Sequence, residues 1–129
     1  MFKHYILTRY NYGLYSENVY NVEDKDYYMN QRLPLFKRLL KSLDNQTNQN
    51  FTHVVNIDPN TPEEYLREIL NAVYFAKTNS VFCYEPHIDY LRKQPITEEF
   101  LITSRIDNDD EYYPKFVEVI QNTELVLAK

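Results

Sequence analysis

Two periods take turns along this chain. His4-Tyr5-Ile6-Leu7-Thr8-Arg9-Tyr10 is a β-rich run closed by the turn Asn11-Tyr12-Gly13. Residues 14–26 are polar and mixed, show no clear period, and read as a loop. From Tyr27 to Leu43 the apolar positions Met29, Leu33, Phe36, Leu40 and Leu43 step by four and three, the mark of one helical face. Pro34 interrupts that stripe and predicts a kink or a fresh helix start near Leu33. Asp44 to Asn50 is a polar connection, after which Phe51 to Asp58 alternates as a strand and stops at Asp58-Pro59. Thr61-Pro62-Glu63-Glu64 predicts a helix start, with Thr61 as cap and Glu64 closing a capping box, and Leu66, Ile69, Leu70 and Val73 carry the helix to about Ala76. Ser80 to Tyr84 predicts a third strand ended by Glu85-Pro86, and Ile88 to Lys93 a turn of helix. Phe100, Leu101, Ile102 and Ile106 mark a buried fourth strand. Pro114 to Gln121 then reads as a helix with Phe116, Val117 and Ile120 inward, and Leu125-Val126-Leu127 as the possible start of another strand.

The order β-α-β-α-β-(α)-β-α predicts an α/β fold: three layers, α/β/α, Rossmann-like, with a mostly parallel sheet between helices. Ligands of such sheets bind in the crevice beyond the carboxyl ends of the strands. Thr8, Arg9, Asn11, Asp58, Arg105, Asp107 and Asp109 all fall at such ends, so the fold would gather them along one edge. The fourth strand runs straight into Asp107-Asn108-Asp109-Asp110-Glu111, four acidic side chains in five residues. In an extended chain Asp107 and Asp109 share a face and Asn108 points opposite. Like charges so close repel unless a cation lies between them, and hard oxygen ligands suit Mg²⁺ or Mn²⁺. The competing reading is an acidic cap for the helix that starts near Pro114.

Composition narrows the choice. The 129 residues suit one domain, and 43% hydrophobic with 26% charged residues is usual for a globular protein. Gly13 is the single glycine, which excludes Gly-rich phosphate loops and leaves phosphate to a metal, to Arg or Lys, or to helix amides. A net charge of −5 argues against a general nucleic-acid binder. The lone Cys83 forms no internal disulfide, reads as packing, and fits a reducing compartment. No apolar stretch is long enough for a signal segment or a membrane span, so a cytoplasmic protein is expected. His4, His53 and His87 share no ligand spacing. A calcium loop of the EF-hand kind is excluded because the acidic run lacks the glycine of its sharp turn. An Asp-nucleophile phosphatase is disfavoured by the missing downstream Gly-Thr and the lack of an obvious second-motif Lys.

Three stretches resemble the rhamnosyltransferase group related to glycosyltransferase family 2, within the GT-A fold. They are Leu7-Thr8-Arg9-Tyr10-Asn11; Arg32 with Leu35-Phe36, followed by Ser42-Leu43 and Gln46; and Thr103-Ser104-Arg105-Ile106-Asp107-Asn108-Asp109-Asp110. The last contains the Asp-x-Asp that recurs in GT-A enzymes, and the match spans nearly the whole chain. The resemblance implies a metal-dependent glycosyltransferase, or its donor-binding half, that binds a nucleotide-diphosphate sugar. Thr8, Arg9, Tyr10, Asn11, Asp58, Arg105 and Asp107 would contact the donor, and Asp107, Asp109 and Asp110 would hold Mn²⁺ or Mg²⁺. The family's acceptor pocket and catalytic base come from strands beyond this point, so the whole of 1–129 would be one nucleotide-sugar-binding domain. A partner chain or a homo-oligomer would then supply the other half, and neither acceptor nor base can be assigned. The alternative is a catalytically inactive nucleotide-sugar-binding or interaction domain with the same fold.

Overall fold

Strand β1 (Phe2–Arg9) forms the inner spine of the sheet. It pairs with β2 (Thr52–Asn56) on one side and with β4 (Phe100–Arg105) on the other, and β3 (Ser80–Cys83) pairs with β2. The order is β3-β2-β1-β4 and every pair is parallel. Parallel neighbours need crossovers, which α1 (Lys25–Asp44), α2 (Glu63–Phe75) and α3 (His87–Arg92) provide, while α4 (Phe116–Asn122) comes after β4. This computed structural model describes residues 1–17 and 20–122; the strand expected at Leu125–Leu127 lies outside them.

Alternation along the strands sorts the apolar residues onto two faces. Ile6 and Val55, with Phe82 at the margin, pack under Met29, Phe36, Leu39, Leu40 and Leu43 of α1, Tyr65 and Ile69 of α2, and Val117 of α4. Tyr5, Val54 and Cys83 look the other way, onto Tyr90 and Leu91 of α3 and Ile96 beyond it. The result is the three-layer α/β/α, Rossmann-like arrangement that the alternating periods predict. Each large side chain buried on the α1 face contributes about 1.5–3 kcal/mol, which is why this stripe decides where α1 lies.

Four local expectations are corrected. Of the two outcomes expected at Pro34, the fresh helix start is not seen: α1 runs as one helix through Pro34. The carbonyl that loses its helical N–H donor there belongs to Asn30, an exposed residue within reach of solvent, while the buried stripe on both sides of the proline holds the segment together. The helix also begins inside the stretch read as loop, because Asp24 caps it by accepting from the Tyr27 N–H at 2.9 Å. Helix α2 has no side-chain cap: Pro62 stands at that position, and the Thr61 hydroxyl instead donates to the Asp58 carbonyl at 2.7 Å. Strand β4 is not buried. Among the described residues it pairs with β1 alone, and it alternates half-buried with exposed positions, so that Leu101 is 43% exposed.

Two histidines lie inside the sheet. His53 is fully buried between the hydroxyls of Thr8 and Ser80, each 2.8 Å from a ring nitrogen, and His4 lies between Ser104 at 2.9 Å and Gln121 at 3.0 Å. Burial lowers His4 to about 4, and burial together with the nearby His87 lowers His53 to about 3. Both are neutral in the folded protein, whereas the unfolded chain takes up protons below its ordinary 6.5. Stability is therefore expected to fall by about 1–3 kcal/mol between pH 6.5 and 4. Thermal melting across that range checks this. His53→Gln should melt lower at pH 7 but with a shallower dependence on pH, and an unchanged slope would refute the assignment.

Candidate functional site

The register sets Leu7 beside Arg105, so β1 and β4 reach their carboxyl ends together. Arg9 ends β1 with its side chain exposed; its Nε donates to the Tyr12 carbonyl at 3.1 Å, and its guanidinium lies 5.2 Å from the Tyr20 ring centre. The chain leaves β4 through a tight turn in which the Asp110 N–H donates to the Asp107 carbonyl at 3.0 Å. The extended geometry expected for residues 107–109 is thus replaced by a turn that folds Asp110 back toward Asp107. Asn108 is the buried member of this turn. Its Nδ2 donates to the Tyr10 carbonyl at 2.6 Å and to the Tyr28 hydroxyl at 3.4 Å, pinning the turn to β1 and α1. The carboxylates of Asp107, Asp109 and Asp110 remain exposed, with one oxygen of each within 4.8 Å of the others.

One cationic side chain offsets part of this concentrated charge. Arg32, on α1, places Nη1 2.8 Å from Asp109 Oδ2 and 3.2 Å from Asn108 Oδ1. Its guanidinium rests 4.9 Å from the ring centre of Tyr28, one helical turn earlier. Tyr28 in turn lies 5.7 Å from Tyr20, the ring that carries Arg9. A ladder of guanidinium, ring, ring and guanidinium therefore forms one wall of a groove of about 590 Å³, with Arg105, Asp107 and Asp109 also lining it. A second hollow, of about 660 Å³, lies between α1 and α2 around Leu40 and Phe75, away from the acidic turn.

The segment after the turn is fastened from beneath. The Tyr112 hydroxyl donates to the Arg105 carbonyl at 2.5 Å, and its ring stacks on Phe116 at 3.8 Å. Burial, and after it the charges of Asp107 and Asp110, push that hydroxyl up to about 12, so it stays a donor. The Ser42 hydroxyl accepts the Tyr112 N–H at 3.2 Å. Gln46 donates to the Tyr113 carbonyl at 2.8 Å and accepts the Val117 N–H at 3.0 Å. Ser42 and Gln46 are thus splints between α1 and the residues that lead into α4, which gives these two motif residues a physical reason.

The candidate residues separate into two layers. Arg9, Arg105, Asp107 and Asp109 line one groove, and Asp110 joins the carboxylate cluster at its lip. Thr8, Tyr10, Asn11 and Asp58 are buried below it, so the gathering of all these side chains along one edge is corrected. Thr8 bonds His53, and Tyr10 packs on Phe36 with ring centres 4.7 Å apart. Asn11 accepts the Asp58 N–H at 3.0 Å and donates to the Thr61 hydroxyl at 2.9 Å. Asp58 receives the N–H groups of Gly13, Tyr15, Ser16 and Asn60 and the Ser16 hydroxyl, all between 2.8 and 3.2 Å. Desolvation pushes this carboxyl up, but the bonds from Asn60, Ser16 and Tyr15 outweigh it and hold it below its ordinary range. Its oxygens clasp the loop that leads from β1 toward Tyr20. Sequence reasoning missed Tyr20 and Tyr28 and named Arg32 only within the motif of the first helix; the spacing of Tyr28 and Arg32, one turn apart on a helix, was the available signal.

No match was found among curated proteins or among solved structures. The family model described as "Putative rhamnosyl transferase" matches residues 16–127, which takes in Tyr20, Tyr28 and Arg32 of the ladder, the splints and the whole acidic turn, but not Arg9. No helix among the described residues is long and apolar enough to cross a membrane. The chain belongs to this rhamnosyl transferase family, a family of glycosyltransferases.

Proposed function

We propose that the groove binds the donor of a glycosyl transfer, a nucleoside diphosphate sugar, together with Mn²⁺ or Mg²⁺ held by Asp107, Asp109 and Asp110. The observation that carries this reading is the meeting of opposite charges in one place. Three exposed carboxylates lie within 4.8 Å of one another, and the same groove is lined by Arg9, Arg32 and Arg105. The donor set suits a hard divalent cation, since all its atoms are carboxylate oxygens and Asp109 already neutralises a positive group, the Arg32 guanidinium. When bound, such a cation stabilises as a Lewis acid the charge that grows on the departing diphosphate. The chain's own part is positioning. Arg9 and Arg105 present planar donors to phosphate oxygens from the ends of adjacent strands, and Asn108 fixes the angle at which the carboxylates meet the cation. Thr8, Asn11 and Asp58 act one layer down by holding the frame.

A thermal-shift series with nucleoside diphosphate sugars tests this. At least one donor should raise the melting temperature by several degrees with Mn²⁺ and by much less with EDTA, because a ligand of the folded state stabilises it. Equal shifts with and without the ion for every donor would overturn the metal reading. A second reading is a donor-binding domain without turnover. It is favoured by the exposure of Arg9, Arg105, Asp107 and Asp109, since an open groove does not exclude water. Release of nucleoside diphosphate by the Mn²⁺ form supports the enzyme; donor binding without release supports the silent domain.

A further inference from the structure

We infer that Arg32 is a built-in counter-ion of the acidic turn, held on Asp109 until a divalent cation displaces it, and then turned onto the diphosphate of the donor; this rests on the donor-and-cation reading of the groove. Arg32 reaches the turn through a single nitrogen, Nη1, which serves both Asp109 and Asn108. Among the described residues its other nitrogens have no hydrogen-bonding partner, and a guanidinium has donors to spare. The pair is neither deep nor permanent. Arg32 is 28% and Asp109 43% exposed at the side chain, the range in which an ion pair is weak and readily exchanged.

A divalent cation among the carboxylates competes directly for Asp109 and also repels the guanidinium beside it. The displaced Arg32 still has its rail. The Tyr28 face at 4.9 Å supports a guanidinium in the groove whichever partner its edge addresses. That groove is also lined by Arg9 and Arg105, so a diphosphate entering it is the natural new partner. Arg32 is therefore a positioning residue of a stated kind: it opposes the cation when alone and favours the phosphates once the cation is present.

The two effects have opposite signs, which makes them measurable with Mn²⁺ alone and with inorganic pyrophosphate. Titration calorimetry should show Arg32→Gln binding Mn²⁺ about three- to fivefold more tightly than wild type. With Mn²⁺ saturating, the same variant should bind pyrophosphate about tenfold more weakly. Arg9→Gln is the control for background charge, because Arg9 lines the groove without touching Asp109. It should change Mn²⁺ affinity less than twofold while also weakening pyrophosphate. Arg32→Lys, which keeps the charge, guards against misfolding of the Gln variant and should fall between it and wild type for both ligands. Wild-type binding of Mn²⁺ with unchanged or weaker binding by Arg32→Gln overturns the role of Arg32 alone, as does an equal gain in Arg9→Gln. Failure of wild type and all variants to bind Mn²⁺ overturns the metal reading, and this inference with it.

Discussion

Asp109→Ala is expected to lower Mn²⁺ affinity about 100-fold or more and to abolish Mn²⁺-dependent donor binding, while leaving the fold intact. The two halves of that expectation come from different observations. Among the described residues Asp109 is one of three carboxylates in the cluster, so its removal takes away a ligand that the other two cannot replace. Its structural cost is small, because its partner is Arg32 in a half-exposed pair worth less than about 1 kcal/mol after screening. Asn108→Ala makes the opposite trade. It keeps every carboxylate but removes the buried bonds to the Tyr10 carbonyl and to Arg32, so it should lower stability first and cation binding only through a loosened turn. Calorimetric titration with Mn²⁺ beside circular dichroism separates the two. Donor bound by Asp109→Ala with wild-type affinity and the same dependence on Mn²⁺ would sink the assignment of the acidic turn as the cation site.

Local forces were the legible ones. The strand periods of β1 and β2, the stripe of α1 and the acidic exit of β4 all report burial or charge that neighbouring residues share, and alternation fixed the layer order. The failures have a common cause: each depended on a partner distant in sequence. Strand β4 looked buried because its residues are apolar, yet among the described residues it has a single neighbouring strand, and no pattern within Phe100–Arg105 announces that. Thr61 looked like a cap until Asn11, fifty residues away, took its hydroxyl into another set of bonds. Pro34 allowed a fresh helix start in the sequence because its cost is local while the packing that outweighs it is not. The same division runs through the site. Carboxylates clustered in sequence are clustered in space, so Asp107, Asp109 and Asp110 were legible. Asp58 carries the same chemistry, but the amides of the 13–16 loop surround it, and charge type alone does not distinguish a ligand from a clasp.

That clasp has the largest expected effect on stability. Asp58→Ala should cost about 3–5 kcal/mol, a large part of the roughly 5–15 kcal/mol that holds a domain of this kind together. The amides of Gly13, Tyr15, Ser16 and Asn60 lose a charged acceptor, and the Ser16 hydroxyl loses it too. Ser16→Ala removes only the hydroxyl contact and should cost about 1 kcal/mol. The pH dependence has a definite sign. The folded carboxyl titrates below its ordinary 3.8, so its contribution is complete above that pH and disappears as pH falls through the folded value. Urea unfolding at pH 7 and at pH 3 should therefore show the gap between wild type and Asp58→Ala narrowing in acid, and a gap that widens would contradict the clasp. The variant also separates frame from site. The acidic turn is tied to β1 and α1 through Asn108, not through the 13–16 loop, so Mn²⁺ binding should survive in Asp58→Ala wherever the protein remains folded. Donor binding should weaken, because the loop that Asp58 secures leads to Tyr20 and the ring beneath Arg9. Cation retained and donor weakened in one protein is the outcome that an acidic residue acting as architecture, and not as ligand, requires.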